Sequence, residues 1–202
     1  TLLATAAAPR SWFFETHSNP NCVIVNGDYA YIGGSPAFGL RIFDISDPAN
    51  VVQLSRIQVP FVDSDKTNDM KLVGNYLYIH ADYRCLYIVD VSDPHQPNRV
   101  NHLRIASTNN REAIEIKNNF LFATDSQYGL RIYNIRDPRR PNLIHTFADE
   151  RISSMNGLEI QDDLLFVECR SDQEEFNGTV ILDVLEPDSP EIIGTFPIAN
   201  NC

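Results

Sequence analysis

Hydrophobic and polar residues alternate along most of this chain with a period of two, the spacing of a strand with one buried face. Val23 and Val25, Met70 and Leu72, Ile114 and Ile116, and Leu158 and Ile160 each alternate with other residues. Two turn formers follow each pair: Gly27-Asp28, Gly74-Asn75, Asn118-Asn119 and Asp162-Asp163. Only Gly, Asn and Asp fill those eight places, which predicts tight hairpins with positive φ. A second strand is expected over 29–32, 76–79, 120–123 and 164–167. After a variable loop comes a third, rich in Leu, Ile and Val, which stops at Asp-Pro or Glu-Pro because proline cannot donate to a ladder. A fourth, less regular strand follows at 51–59, 99–105, 143–147 and 192–196. No segment carries a convincing helical period.

These elements repeat. GLRIFDISDP (39–48) returns as CLYIVDVSDP (85–94), GLRIYNIRDP (129–138) and, more weakly, GTVILDVLEP (178–187). The closing prolines Pro48, Pro94, Pro138 and Pro187 stand 46, 44 and 49 residues apart. Four strands in about 45 residues match the blade of a β-propeller. The expected fold is therefore all-β, a propeller of four blades of four antiparallel strands. The blades are expected at 21–67, 68–111, 112–155 and 156–202, behind an N-terminal arm or linker at 1–20.

The lettering of GLRIFDISDP and CLYIVDVSDP, each behind an aromatic-rich strand, resembles the LVIVD repeat of bacterial and archaeal surface proteins. The resemblance covers roughly residues 21–202 and is weakest in the fourth copy. It implies a β-propeller, commonly exported or surface-attached, in which the motif marks blade structure and not a catalytic site.

Cys22 stands just before the first predicted strand and Cys202 just after the last. In a closed ring those points are neighbours, so a Cys22–Cys202 disulfide would staple the first blade to the last, similar in this respect to hemopexin-type four-bladed propellers. So long a loop would contribute roughly 4–5 kcal/mol in the chain-entropy model. The alternative is two incidental thiols at frayed ends. Cys85 and Cys169 fall on opposite sides of such a disc and read as partly buried thiols. With no Cys-x-x-Cys, the common zinc and redox signatures are missing.

The 202 residues are 43% hydrophobic and 21% charged, enough for a proper core. With 27 acidic against 16 basic side chains the net charge is -11, which argues against nucleic acid and anionic membrane surfaces. No apolar stretch approaches the roughly 20 residues of a spanning helix. Residues 1–20 stand outside the repeat; TLLATAAAPR resembles the end of an export signal, and Trp12, Phe13 and Phe14 could cap the disc, contact a neighbour or bury against the first blade. Export would suit a persistent disulfide.

Strand alternation places two loop sets on one side of the propeller. Between blades these are 15–21, 62–68, 107–112 and 150–156; between second and third strands they are 33–38, 80–84, 124–128 and 168–177. These loops vary while the strands do not, the usual arrangement of function on a rigid scaffold. Tyr83, Arg84, Arg111, Tyr128 and Arg151 offer the Tyr and Arg anchors that interfaces favour. Asn21, Asn68, Glu112 and Asn156 form one aligned column entering each innermost strand. They could ring a channel mouth and hold a hard cation or water, or bond to loop backbone. Asp44, Asp90, Asn134 and Asp183 also align, and backbone capping at the Asp-Pro corner explains them best. DSDKTND (63–69) lacks the glycine and distal glutamate of a calcium-hand loop and reads as a solvated loop. Asn177-Gly178-Thr179 is a glycosylation sequon that more simply makes a turn, and the five histidines show no ligand spacing.

No Gly-x-Ser-x-Gly, His-Glu-x-x-His or phosphate-binding glycine loop occurs. The expected function is thus a non-catalytic binding or assembly module, without cofactor, that meets a protein or glycan at the cell surface or in the periplasm. One alternative is a metal-dependent hydrolase or lyase at the channel mouth with Glu112 as base. Another is a structural subunit of a larger surface complex or filament.

Overall fold

A computed structural model of the chain describes residues 19–35, 37–58, 67–81, 85–105, 113–125, 127–150, 152, 154–170 and 177–197. Every regular element among them is a β-strand, and sixteen strands form four antiparallel sheets of four. The first sheet is β1 (Pro20–Asn26), β2 (Tyr29–Gly34), β3 (Leu40–Asp44) and β4 (Val52–Ile57). The second is β5 (Thr67–Val73), β6 (Tyr76–Ala81), β7 (Cys85–Asp90) and β8 (Asn98–Arg104). The third is β9 (Ile114–Lys117), β10 (Phe120–Asp125), β11 (Gly129–Asn134) and β12 (Asn142–Phe147). The fourth is β13 (Ser154–Gln161), β14 (Leu164–Arg170), β15 (Gly178–Asp183) and β16 (Glu191–Pro197). Spatial order equals chain order in every sheet, so each is a plain meander, the blade of a β-propeller.

The hairpin chemistry explains the local geometry. Gly27, Gly74, Asn118 and Asp162 hold φ of 55°, 56°, 54° and 52°. Only the first residue of each predicted turn pair is left-handed; the second uses its carbonyl. Asp28, Asn75, Asn119 and Asp163 accept the N–H of Ile45, Val91, Ile135 and Val184 at 2.7–2.8 Å, tying each first hairpin to the end of its third strand.

The corner column behaves as capping predicts. Oδ1 of Asp44, Asp90, Asn134 and Asp183 accepts the backbone N–H two residues on, at 2.9–3.0 Å in all four blades. Asp47, Asp93 and Asp137 repeat the device at 2.9 Å, one step further round the corner. These polar groups are spent on backbone, which leaves the corner side of each blade structural.

The chain divides into two compact units. The first carries β1–β4 with most of β5–β8; there β1 packs beside β5, and Leu40, Ile42, Leu77, Ile79 and Ile88 are fully buried. In the second, β9 packs beside β13 around Phe122, Leu130, Ile132, Leu165, Val180 and Leu182. That unit also takes in the last residues of β8.

Candidate binding cleft in the second unit

The aligned Asn column marks a backbone feature that side-chain alternation hides. In β1 the register slips between Pro20 and Cys22, in β5 between Thr67 and Asp69, and in β13 between Met155 and Leu158. Asn21, Asn68 and Asn156 are the residues at these three β-bulges, where the innermost strand accommodates one extra residue and bends. Asn21 Nδ2 donates to the Thr67 carbonyl at 3.3 Å. Asn156 is buried, and its carbonyl accepts the Thr124 hydroxyl at 3.4 Å. These contacts serve blade-to-blade packing. Glu112, the fourth member of the column, lies outside the described residues, and among the described ones no His, Cys, Asp and Glu group could hold a metal.

The expected Cys22–Cys202 staple involves one residue that is described and one that is not. Cys22 lies inside β1 and is a free thiol, and Cys202 is outside the described residues. Beside the bulge, the Cys22 sulfur faces β5 and donates to the Asn68 carbonyl at 3.1 Å. Burial, with Asp69 nearby, pushes this thiol up to about 11. Cys85 and Cys169 are free too, and burial raises Cys169 to about 12.

Of the five predicted loop anchors, Tyr83, Arg84, Arg111 and Arg151 lie outside the described residues, and Tyr128 is described. Tyr128 sits on a constructed platform. Asp125, at the end of β10, is 1% exposed and accepts the backbone N–H of Gln127 (2.9 Å) and Tyr128 (3.1 Å) through Oδ1. Its Oδ2 faces an Arg131 guanidinium nitrogen at 3.3 Å, and the same nitrogen donates to the Arg104 carbonyl at 2.9 Å. The Arg131 guanidinium stands 5.1 Å from the Tyr128 ring centre and 5.8 Å from that of Tyr133. A carboxylate in the wall thus fixes both the loop carrying Tyr128 and the cation behind its ring. Tyr128 itself remains 48% exposed.

Beside it opens a cleft of about 350 Å³, between the β10–β11 loop and the β12–β13 connection. Asp125, Gln127, Tyr128, Thr146, Asp149, Ile152, Ser154 and Met155 line it. The structure therefore brings Tyr128 together with Asp149, Ile152 and Ser154 of the β12–β13 connection. Sequence reading passed over Asp125, yet a signal was present. The same blade position holds Gly34, Ala81 and Cys169 in the other copies, all buried. A carboxylate at a place otherwise reserved for small or apolar residues departs from the repeat. Arg131 has a counterpart in Arg41, which lies 4.3 Å over Phe38, so blade 1 keeps the cation–aromatic pair without the carboxylate.

The LVIVD repeat family matches residues 21–58 and 65–103, which are β1–β4 and β5–β8 almost to the residue. The first two blades are LVIVD repeats. The chain is similar in fold to the computationally designed Ika8 protein, with a TM-score of 0.65 at 8% identity over 96% of this chain and 52% of that one. It is also similar to a candidate 6-phosphogluconolactonase from Bacteroides fragilis, with a TM-score of 0.67 at 11% identity over 90% of this chain and 58% of that one. The designed Ika4 protein gives 0.59 at 10% identity over 90% and 96%. The chain spans a little over half the length of the first two. At these identities the likeness concerns the fold alone. No curated protein matches the sequence.

Proposed function

We propose that this chain, whose first two blades match the LVIVD repeat, is a non-catalytic binding module, exported or held at the cell surface, that engages a protein or glycan partner through the loop side of its blades. One observation carries the reading. An exposed tyrosine borders a cleft, and a buried carboxylate that the other repeats lack holds it in place. Preorganised aromatic side chains on loops are what recognition surfaces employ, because little conformational entropy remains to be lost on binding. The corner side offers less, since its aligned carboxylates are committed to backbone.

The test compares the immobilised chain with a Tyr128→Ala/Asp149→Asn variant of equal thermal stability. Each is exposed to surface extract from the producing cells. Retention of a component by the parent and its loss by the variant is expected. Equal retention by both, or none by either, would overturn the reading.

A further inference from the structure

We infer that the cleft beside Tyr128 receives a sugar ring, with Tyr128 as the stacking platform and Gln127, Thr146, Asp149 and Ser154 as partners for its hydroxyls. This rests on the loop-side reading above and names the ligand class for that site.

The cleft volume of about 350 Å³ falls at the small end of small-molecule sites, which run from roughly 300 to 1,000 Å³. Its lining is amphipathic on a short scale. Tyr128, Ile152 and Met155 supply apolar surface, while one amide, two hydroxyls and a carboxylate supply donors and acceptors. A pyranose presents the same mixture, an apolar C–H face edged by hydroxyls.

The charge state of the wall separates a neutral polyol from a cation. Of the two lining carboxylates, Asp125 is already engaged: Oδ1 accepts two backbone N–H groups and Oδ2 faces Arg131. Its charge is matched inside the wall, so the cleft is polar without being strongly anionic. The Arg131 guanidinium stands 5.1 Å from the Tyr128 ring centre, a cation–π contact that favours this placement of the ring and so lowers the ordering cost of stacking.

The experiment titrates glucose, galactose, mannose and N-acetylglucosamine separately into the 15N-labelled full chain, with trilysine as the cationic probe. At least one sugar is expected to shift the amides of Gln127, Tyr128, Gly129, Thr146 and Ser154 saturably. Tyr128→Phe should retain binding within roughly threefold, and Tyr128→Ala should lose roughly tenfold or more. No shift with any of the four sugars, or a response unchanged in Tyr128→Ala, would overturn the inference. Shifts from trilysine alone would overturn the sugar and leave the loop-side reading standing. The loop-side reading falls separately, if the extract experiment fails.

Discussion

Glycine stands at or just before the start of the third strand in three blades, and the structure separates two reasons for glycine that can be measured apart. Gly39 has φ +68, and a Cβ placed there would lie 2.7 Å from the Ile57 carbonyl oxygen across the β3–β4 ladder. Gly27, in the same sheet, has φ +55 with nothing within 4 Å of such a Cβ. Alanine at Gly27 therefore incurs the left-handed backbone cost alone, roughly 1–2 kcal/mol. The smaller unfolded-state entropy of alanine offsets part of that, by about 0.4–1 kcal/mol. The net loss should be about 1 kcal/mol. Alanine at Gly39 meets the same balance and must also push back a backbone carbonyl that cannot rotate away. Overpacking of this kind costs about 1–3 kcal/mol more. Gly39→Ala should thus be less stable than Gly27→Ala by about 2 kcal/mol.

Urea unfolding followed by far-ultraviolet circular dichroism reads the difference, and both sites lie in the first unit, so one transition reports both. Gly27→Asn supplies the control, since Asn118 already holds the equivalent turn position at φ 54° and little change is expected. Gly39→Ala falling no further than Gly27→Ala would refute the carbonyl-approach argument. The pattern recurs elsewhere. Gly129 and Gly178 face the Phe147 and Phe196 carbonyl oxygens in the same way, whereas Cys85 fills the position in the second blade without a positive φ. Cys85→Gly should therefore gain nothing and lose about 0.5–1 kcal/mol.

Removing the platform carboxylate in Asp125→Ala should destabilise the second unit by about 2–4 kcal/mol, because the Gln127 N–H loses its carboxylate acceptor, the Tyr128 N–H is left with the Asp125 backbone carbonyl, and Arg131 loses its carboxylate. Asp125→Asn keeps an acceptor and should recover about half, and equal losses in the two variants would refute that division. Native alkylation by iodoacetamide at pH 8 should leave Cys22 and Cys169 nearly untouched, since values of about 11 and about 12 leave thiolate fractions on the order of 10⁻³ and 10⁻⁴. Mass spectrometry after unfolding without reductant should then find Cys22 labelled, and a protected Cys22 would support the Cys22–Cys202 staple. Asp44, through its bonds from Ser46, and Asp47, through those from Asn50 and Ala49, are held below the ordinary carboxylate value. Their contribution is therefore complete above about pH 4 and is lost as pH falls through the lower folded-state values, so Asp44→Asn/Asp47→Asn should show a shallower acid limb in thermal unfolding.

The sheets, hairpins and corners were legible in the sequence because each rests on a chemistry with few solutions. A left-handed first turn residue admits Gly, Asn or Asp, and those stand at Gly27, Gly74, Asn118 and Asp162. A corner that caps its own backbone admits Asp or Asn, and those stand at Asp44, Asp90, Asn134 and Asp183. The bulges were not legible in the same way. An inserted residue inverts the strand's alternation beyond it, so Asn21, Asn68 and Asn156 showed as a side-chain column, a channel-mouth ring or a set of backbone bonds, while the bend of the backbone itself was hidden. The direction of the Cys22 sulfur beside that bend was hidden with it.

The cleft was half legible for a related reason. Tyr128 stood out by type, but Asp125 sits in a polar run, Thr-Asp-Ser-Gln-Tyr, that reads as an ordinary loop. Its character emerges only from its place in the blade, where Gly34, Ala81 and Cys169 show that the site is buried and tolerates no charge without compensation. The compensation is visible: Arg131 on one side and two backbone N–H groups on the other. In a repeat architecture the shared residues are fixed by the blade they all build, so they carry little information about function. A residue that breaks the register, at a cost in desolvation that its neighbours must offset, is the one the scaffold did not require. By that reasoning the third blade is where this chain ceases to be a generic repeat.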